Sequence, residues 1–212
     1  MLIGVIGAPI TGKTTLAAGL FAKLKEMGVA AEFVPEYARK YIAKMRRSER
    51  DGVTLLDMDQ FRIARGQSEE EDLFTGSGTQ IIVTDGSVAN AYFYMQEIDD
   101  TELNSKVRTA MGRYDVLFYS KPFDTRRDMQ WDPVTGTSKG SKFSQDPNRV
   151  HDAEFSLQLD RKISLIVDKT VGAGNSWSTG FIHQLAGTPE ERLTDALRVV
   201  TLRLEVLSGW KQ

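Results

Sequence analysis

The chain has 212 residues, of which 41% are hydrophobic and 26% are charged, and this composition is typical of globular proteins rather than disordered or fibrous ones. Its net charge of -2 provides no overall attraction to nucleic acid or anionic membranes, and the absence of cysteine excludes disulfides, thiolate nucleophiles and cysteine-ligated metals. Because the length suits one α/β core and is short for two, we expect a single domain over residues 1–212.

Strand and helix signals alternate along the chain, which favours a largely parallel sheet covered by helices on both faces. Five apolar strands are predicted at 2–6, 31–34, 80–84, 116–120 and 181–185. Helical spacing predicts helices at about 16–27, 36–47, 57–74, 88–98, 103–111, 155–166 and 189–207. Helix boundaries are indicated by Gly28 as a C-terminal stop, Thr54 with Asp57 as an N-cap, and the capping box Thr188-Pro189-Glu190-Glu191.

Residues 121–150 interrupt this alternation. The segment is rich in Gly, Ser, Pro, Asp and basic residues and has no apolar periodicity. A long irregular segment within a compact domain is usually functional. We therefore expect a mobile lid inserted at about 121–150.

The strongest motif is Gly-x-x-x-x-Gly-Lys-Thr at residues 7–14, directly between the first strand and the first helix. Glycines let backbone amides curve around phosphates, Lys13 can neutralise the β- and γ-phosphates, and the Thr14 hydroxyl can ligate Mg²⁺. The motif predicts a P-loop that binds a nucleoside triphosphate. Its candidate binding residues are Gly7, Thr11, Gly12, Lys13, Thr14 and Thr15.

Asp85 follows the apolar run Ile81-Ile82-Val83 and is therefore expected at the carboxyl end of a buried strand. Ligands of α/β proteins bind at that edge of the sheet. Asp85 is thus a candidate Mg²⁺ ligand together with Thr14. A simple turn role in Asp85-Gly86 is the alternative.

Several classes of protein contain a P-loop. The compact chain and a basic lid candidate favour a small-substrate kinase, whereas the absence of an Asn/Thr-Lys-x-Asp motif disfavours a GTPase. In the lid, Arg126 and Arg127 are candidates to stabilise charge on the transferring phosphoryl group.

Further segments carry a family resemblance. Beside the P-loop run 7–16, residues 34–41 (VPEYARKY), 63–67 (IARGQ), 83–86 (VTDG), 113–117 (RYDVL) and 186–192 (AGTPEER) occur in a familiar order. In these segments the chain resembles the ribosylnicotinamide-kinase domain of bifunctional NAD-biosynthesis regulators and the AAA-like P-loop kinases around it. The lid departs from that family's pattern.

The resemblance implies an ATP-dependent kinase with a three-layer P-loop NTPase sandwich, a five-stranded parallel sheet, and a nucleoside-like acceptor. It also implies that Glu36 and Arg39 face the acceptor, that Asp85 faces Mg²⁺, and that the loop with Gly187 and Pro189 faces the adenine. Independently, Glu36 follows a strand beside the P-loop strand, where a carboxylate could accept the proton of an acceptor hydroxyl. A helix-start carboxylate and a solvated arginine are the alternatives for Glu36 and Arg39.

A basic run leaves a second interpretation open. Six cations occur within twelve residues, at Arg39, Lys40, Lys44, Arg46, Arg47 and Arg50. They would suit an acceptor with several phosphates, either a nucleotide or a hydroxymethylated pyrimidine within DNA, as in certain viral P-loop kinases. A solvated helix face, and a non-kinase NTPase switch, are the alternatives. The acidic run at residues 69–72 is interpreted as solvated helix surface.

The sequence also indicates a location. No apolar run approaches the ~20 residues needed to span a membrane, and the chain start lacks a basic leader. We therefore expect a cytoplasmic protein without a membrane partner.

Overall fold

The computed structural model describes residues 1–48, 55–123, 131–132, 137–138, 153–172 and 181–208. The strands are β1 (Leu2–Ile6), β2 (Ala31–Val34), β3 (Ile81–Thr84), β4 (Val116–Ser120), β5 (Trp131–Asp132), β6 (Thr137–Ser138) and β7 (Phe181–Leu185). The helices are α1 (Lys13–Glu26), α2 (Tyr37–Ser48), α3 (Asp57–Asp72), α4 (Val88–Phe93), α5 (Asp100–Met111), α6 (Ala153–Gly172) and α7 (Pro189–Ser208).

Five strands form one parallel sheet in the order β2-β3-β1-β4-β7. β1 lies at the centre, between β3 and β4, so the loop that follows it emerges in the middle of the sheet's carboxyl edge. The short strands β5 and β6 pair antiparallel. The predicted five-stranded parallel α/β sandwich is confirmed.

Helices cover both faces of the sheet, as the alternation of side chains in β4 demonstrates. Val116 and Phe118 belong to a core with residues of α1 and α7, whereas Leu117 and Tyr119 belong to a second core with residues of α3 to α6. Successive strand residues point to opposite faces, and β4 is buried at all five positions, so both faces are covered.

Two predicted helix boundaries hold. α1 is followed by Met27 and Gly28, and Gly28 adopts φ +76°, the left-handed conformation that ends many helices. At α7, the backbone N–H of Thr188 donates to Glu191 Oε2 (2.8 Å) and the N–H of Glu191 donates to Thr188 Oγ1 (3.3 Å). These reciprocal bonds form the expected capping box.

One predicted helix end is wrong, and one predicted N-cap lies outside the described residues. The helix expected at 88–98 ends at Phe93, because the backbone N–H groups of Gln96 and Glu97 donate to the Asp57 carboxylate (3.0 and 2.9 Å). The N-cap of α3 is Leu56, and the proposed Thr54 cap lies outside the described residues.

Candidate functional site

The P-loop connects β1 to α1, and its glycines are required by close backbone packing. Gly7 has φ +150°, and a Cβ there would lie 2.6 Å from the Ser120 carbonyl oxygen. Gly12 precedes α1 with φ +80°, and a Cβ there would lie 2.8 Å from the Phe123 ring. Side chains at these positions would push the loop away from β4 and from the residues after it.

Lys13 begins α1 and is 9% exposed. Its Nζ donates to the Ala8 carbonyl (2.8 Å), which also accepts from Thr11 Oγ1 (2.9 Å). Both side chains therefore lie within the curve of the loop. Thr14 and Thr15, in the first turn of α1, are exposed.

Asp85 directly follows β3, beside this loop, and is 2% exposed. Burial raises the pKa of Asp85, and the nearby Glu36 carboxylate raises it further, whereas a hydrogen bond with Thr14 and the charges of Lys13 and Arg39 lower it. These interactions place Asp85 next to Thr14 and Lys13, as the sequence predicts.

Glu36 follows β2 and approaches the same edge of the sheet. A Cβ on Gly86 would lie 3.6 Å from Glu36 Cγ, so the loops after β2 and β3 are in close contact. Arg39 Nε donates to Glu36 Oε2 (3.3 Å), and both side chains are partly exposed. Glu36, Arg39 and Asp85 therefore lie together, with the two carboxylates on neighbouring loops.

Three buried oxygens around Asp85 have no hydrogen-bond partner within the described part of the chain. They are Asp85 Oδ1, Ser87 Oγ and Asn90 Oδ1. Buried polar atoms are usually satisfied, so an unpaired oxygen calls for a ligand or water. No group of three or more His, Asp or Glu residues among those described could hold a metal ion. Thr14 with Asp85 nevertheless suits Mg²⁺, which commonly takes one or two protein ligands and completes its shell with water and phosphate oxygens.

Arg192 is a residue that sequence reasoning missed. It lies in the first turn of α7 and is 1% exposed. Its Nη1 donates to the carbonyls of Thr11 (2.9 Å) and Lys121 (2.8 Å) and to Ser120 Oγ (2.9 Å), and its Nε donates to the Gly187 carbonyl (2.8 Å). One guanidinium thus links the P-loop, the end of β4 and the loop before α7.

The same guanidinium lies over the Phe123 ring, with Cζ 4.1 Å from the ring centroid. Gly187 is therefore held beside the P-loop, and its φ of +92° is allowed by the absence of a side chain. Pro189, two residues later, is exposed at the start of α7. No local sequence pattern indicates these contacts of Arg192, because Arg192 and Thr11 are far apart in sequence and meet only in the folded protein.

The acidic run at 69–72 was interpreted incorrectly at one position. Glu69 is exposed, but Glu71 is fully buried. Tyr114 Oη donates to Glu71 Oε1 (2.8 Å), and burial raises the pKa of Glu71 to about 7. Glu71 faces inward, where its carboxyl group accepts from Tyr114 Oη and Gln67 Nε2. A carboxylate in a run of four acids gives no hydrophobic signal of that burial.

The basic helix α2 is partly neutralised by its neighbours. Lys40 forms an ion pair with Glu70 of α3, as Arg39 does with Glu36, while Lys44 is exposed. Arg50, Arg126 and Arg127, with most of the 121–150 lid, lie outside the described residues, as does the side chain of Arg47.

None of the helices in the described part of the chain is long and apolar enough to span a bilayer.

The central parallel sheet and the glycine-rich loop between β1 and α1 define a P-loop NTPase sandwich. A family described as an AAA domain matches residues 2–168, and the chain belongs to that family. Comparison with curated protein sequences finds no match.

Solved structures with a similar fold include deoxyadenosine kinase from M. mycoides in two complexes. The complex with bound dCTP is 14% identical, with a TM-score of 0.52, and the comparison covers 97% of this chain and 100% of that one. The complex with the products dCMP and a flexible dCDP is 13% identical, with a TM-score of 0.50 and the same coverage. At this identity the likeness concerns the fold.

Proposed function

We propose that this protein is an ATP-dependent kinase that transfers the γ-phosphoryl group to a hydroxyl of a nucleoside- or nucleotide-like acceptor. The observation that carries the proposal is the close approach of Glu36 and Asp85 beside Lys13 and Thr14. A triphosphate site and two carboxylates on the adjoining loops are the groups that hydroxyl phosphorylation requires. The nucleoside kinases of similar fold are consistent with this chemistry.

The donor half of the site consists of the P-loop. Its backbone amides, with Thr11 and Thr15 alongside, would hold the phosphates, and Lys13 would neutralise the β- and γ-phosphates. Thr14 and Asp85 would hold Mg²⁺, which supplies further charge neutralisation for the triphosphate. The loop of Gly187 and Pro189 would border the adenine.

The acceptor half consists of Glu36 with Arg39. The acceptor oxygen attacks the γ-phosphorus, its proton passes to the Glu36 carboxylate, and the bond between the γ-phosphorus and the β–γ bridging oxygen breaks to release ADP. Arg39, through its pairing with Glu36, would orient that carboxylate and contact the acceptor. Arg126 and Arg127 would add charge from the lid.

Ribosylnicotinamide is the finer acceptor that the sequence resemblance suggests. A hydroxymethylated pyrimidine within DNA is a second candidate, supported by the cations of α2, although the pairing of Arg39 and Lys40 with carboxylates reduces the charge available to a strand. One experiment compares these two proposed acceptors.

The experiment offers radiolabelled ATP and Mg²⁺ with pooled nucleosides, ribosylnicotinamide, mononucleotides, and DNA with and without hydroxymethylated pyrimidines. We expect label to enter a nucleoside or mononucleotide pool, and Lys13→Ala to abolish it. Label in modified DNA would transfer the assignment to the second candidate. ATP hydrolysis without any labelled acceptor would instead indicate an NTPase switch.

A further inference from the structure

A buried polar network lies beneath the acceptor half of the site, with Glu71 at its centre. Glu71 Oε1 accepts from Tyr114 Oη (2.8 Å) and from Gln67 Nε2 (3.3 Å). Among the described residues, the only cation near Glu71 is Arg113. Its Nη2 lies 3.6 Å from Glu71 Oε2 and 2.9 Å from Asp72 Oδ1. The desolvation cost of a buried carboxylate is poorly offset by such an ion pair. A contribution to stability therefore does not by itself explain a glutamate at this position.

One branch of the network leads to the loop after β3. Tyr114 Oη accepts the backbone N–H of Val88 (2.8 Å), so its own proton is directed to Glu71. Gln67 Nε2 also donates to Thr84 Oγ1 (2.8 Å). The bonds at Thr84 and Val88 therefore hold the chain on both sides of Asp85.

The other branch leads to the loop after β2. Gln67 Oε1 accepts the backbone N–H of Tyr37 (2.8 Å), the residue that follows Glu36. Because this N–H can only donate, the amide oxygen of Gln67 must face it and the amide nitrogen must face Glu71 and Thr84. A Cβ on Gly66 would lie 2.3 Å from the Tyr37 ring, so the same loop is pressed against α3.

We propose that Glu71, acting through Tyr114 and Gln67, is a positioning residue that fixes the loops carrying Glu36 and Asp85 relative to each other. This inference rests on the proposed kinase function. The two loops carry carboxylates of like charge that repel each other, as the effect of Glu36 on Asp85 indicates. A shared anchor in α3 opposes that repulsion, because its bonds reach the backbone N–H that follows Glu36, the Thr84 hydroxyl before Asp85 and the backbone N–H of Val88 after it.

The chain offers a matched control for the hydroxyl of Tyr114. Tyr119 is also fully buried, and its Oη donates to the Asp160 carboxylate (2.7 Å), which belongs to α6 and lies outside the network. Tyr114→Phe and Tyr119→Phe therefore remove the same kind of hydrogen bond, and only the first disconnects Val88 from Glu71.

The test uses the full chain and compares Tyr114→Phe, Tyr119→Phe, Glu71→Met and Glu71→Gln by kinetics and by amide hydrogen exchange. We expect kcat to fall at least tenfold in Tyr114→Phe and Glu71→Met, with the KM for ATP within twofold of wild type. Glu71→Gln keeps an acceptor oxygen and should recover most of the kcat that Glu71→Met loses. Tyr119→Phe should keep kcat within threefold.

Hydrogen exchange reports on positioning without any phosphorylated acceptor. The amide of Val88 should exchange at least tenfold faster in Tyr114→Phe, and those of Tyr37 and Val88 faster in Glu71→Met, with neither changed in Tyr119→Phe. Unchanged protection of both amides in Glu71→Met, or equal losses of kcat in the two Tyr→Phe variants, would overturn the proposal. Faster exchange in a protein that phosphorylates nothing would retain the anchor and reject the kinase function. If Glu71→Met does not fold, the exchange rate of the Val88 amide in Tyr114→Phe decides the test.

Discussion

The donor and acceptor halves of the site are each held by one buried ionisable side chain, a guanidinium in the first and a carboxyl group in the second. In the donor half, Arg192 donates hydrogen bonds to carbonyls of the P-loop and of the segments beside it. In the acceptor half, Glu71 accepts bonds from side chains that in turn hold backbone N–H groups. A guanidinium offers only hydrogen-bond donors and a carboxylate offers only acceptors, so the choice of residue follows from which groups each loop leaves unpaired.

The two anchors also differ in how directly they bond to the backbone of their loops. In the donor half the anchor bonds directly to the P-loop backbone, at Thr11. In the acceptor half the anchor acts through Tyr114 and Gln67. We therefore expect changes at Arg192 to affect stability and ATP binding together, and changes at Glu71 to affect turnover more than ATP binding.

The largest expected effect is at the donor half's charged group. Lys13→Ala should lower kcat/KM by about 10³-fold, because it removes the cation proposed to neutralise the transferring phosphate. Lys23→Ala, at an exposed lysine of the same helix, is the matched control and should have little effect. Steady-state kinetics with a thermal melt checks both, and wild-type turnover in folded Lys13→Ala would refute the P-loop assignment.

The next effect is at the acceptor half. Glu36→Gln should lower kcat by about 10²-fold with little change in ATP affinity, since an amide cannot take the proton that Glu36 is proposed to accept from the acceptor hydroxyl. Glu70→Gln removes a partly exposed carboxylate of α3 that pairs with Lys40, and serves as the control. Near-normal kcat in Glu36→Gln would reduce Glu36 to a structural residue at the start of α2.

Arg192→Met tests the donor anchor. Leaving the carbonyls of Thr11, Lys121 and Gly187 without their donor should lower the free energy of unfolding by about 3–4 kcal/mol and raise the KM for ATP. Arg198→Met, at an exposed arginine of the same helix, should change stability by less than about 0.5 kcal/mol. Urea titrations measure the difference, and equal stabilities of the two variants would contradict the anchoring role.

Local patterns in the sequence predicted most of the sheet and the donor loop. Apolar runs bounded by turn residues located β1, β3 and β4, since strands buried on both faces are nearly continuous hydrophobic runs. The P-loop was predictable because its function requires a fixed spacing of glycines and Lys13 within eight residues. The strand ends then indicated where Glu36 and Asp85 would lie.

The anchors could not be predicted, because their partners are distant in sequence. Arg192 contacts Thr11 across 181 positions, and Glu71 contacts Tyr114 across 43. A charged residue on a helix is most often solvated, so residue type alone favours an exposed position for Arg192 and Glu71, whereas both are buried. The end of α4 was missed for the same reason, as Asp57 captures the amides of Gln96 and Glu97 from another helix.

The smallest expected effect concerns the pH dependence of the acceptor anchor. Burial raises the pKa of Glu71 from its ordinary 4.5 to about 7, although Tyr114, Gln67, Thr84 and Arg113 lower it. Between these pH values the folded protein holds a proton that the unfolded chain has released, so the free energy of unfolding falls as pH rises. A pKa difference of this size corresponds to at most about 3 kcal/mol, lost between pH 4.5 and 7 and constant above.

Glu71→Gln isolates this contribution, because every other titrating group is common to both proteins and cancels in the difference. The variant should gain stability relative to wild type as pH rises from 4.5 to 7. Urea titrations at intervals across that range measure both curves. A flat curve for Glu71→Gln would mean that Glu71 is ionised across this pH range, with Arg113, whose Nη2 lies 3.6 Å from Glu71 Oε2, as its charge partner.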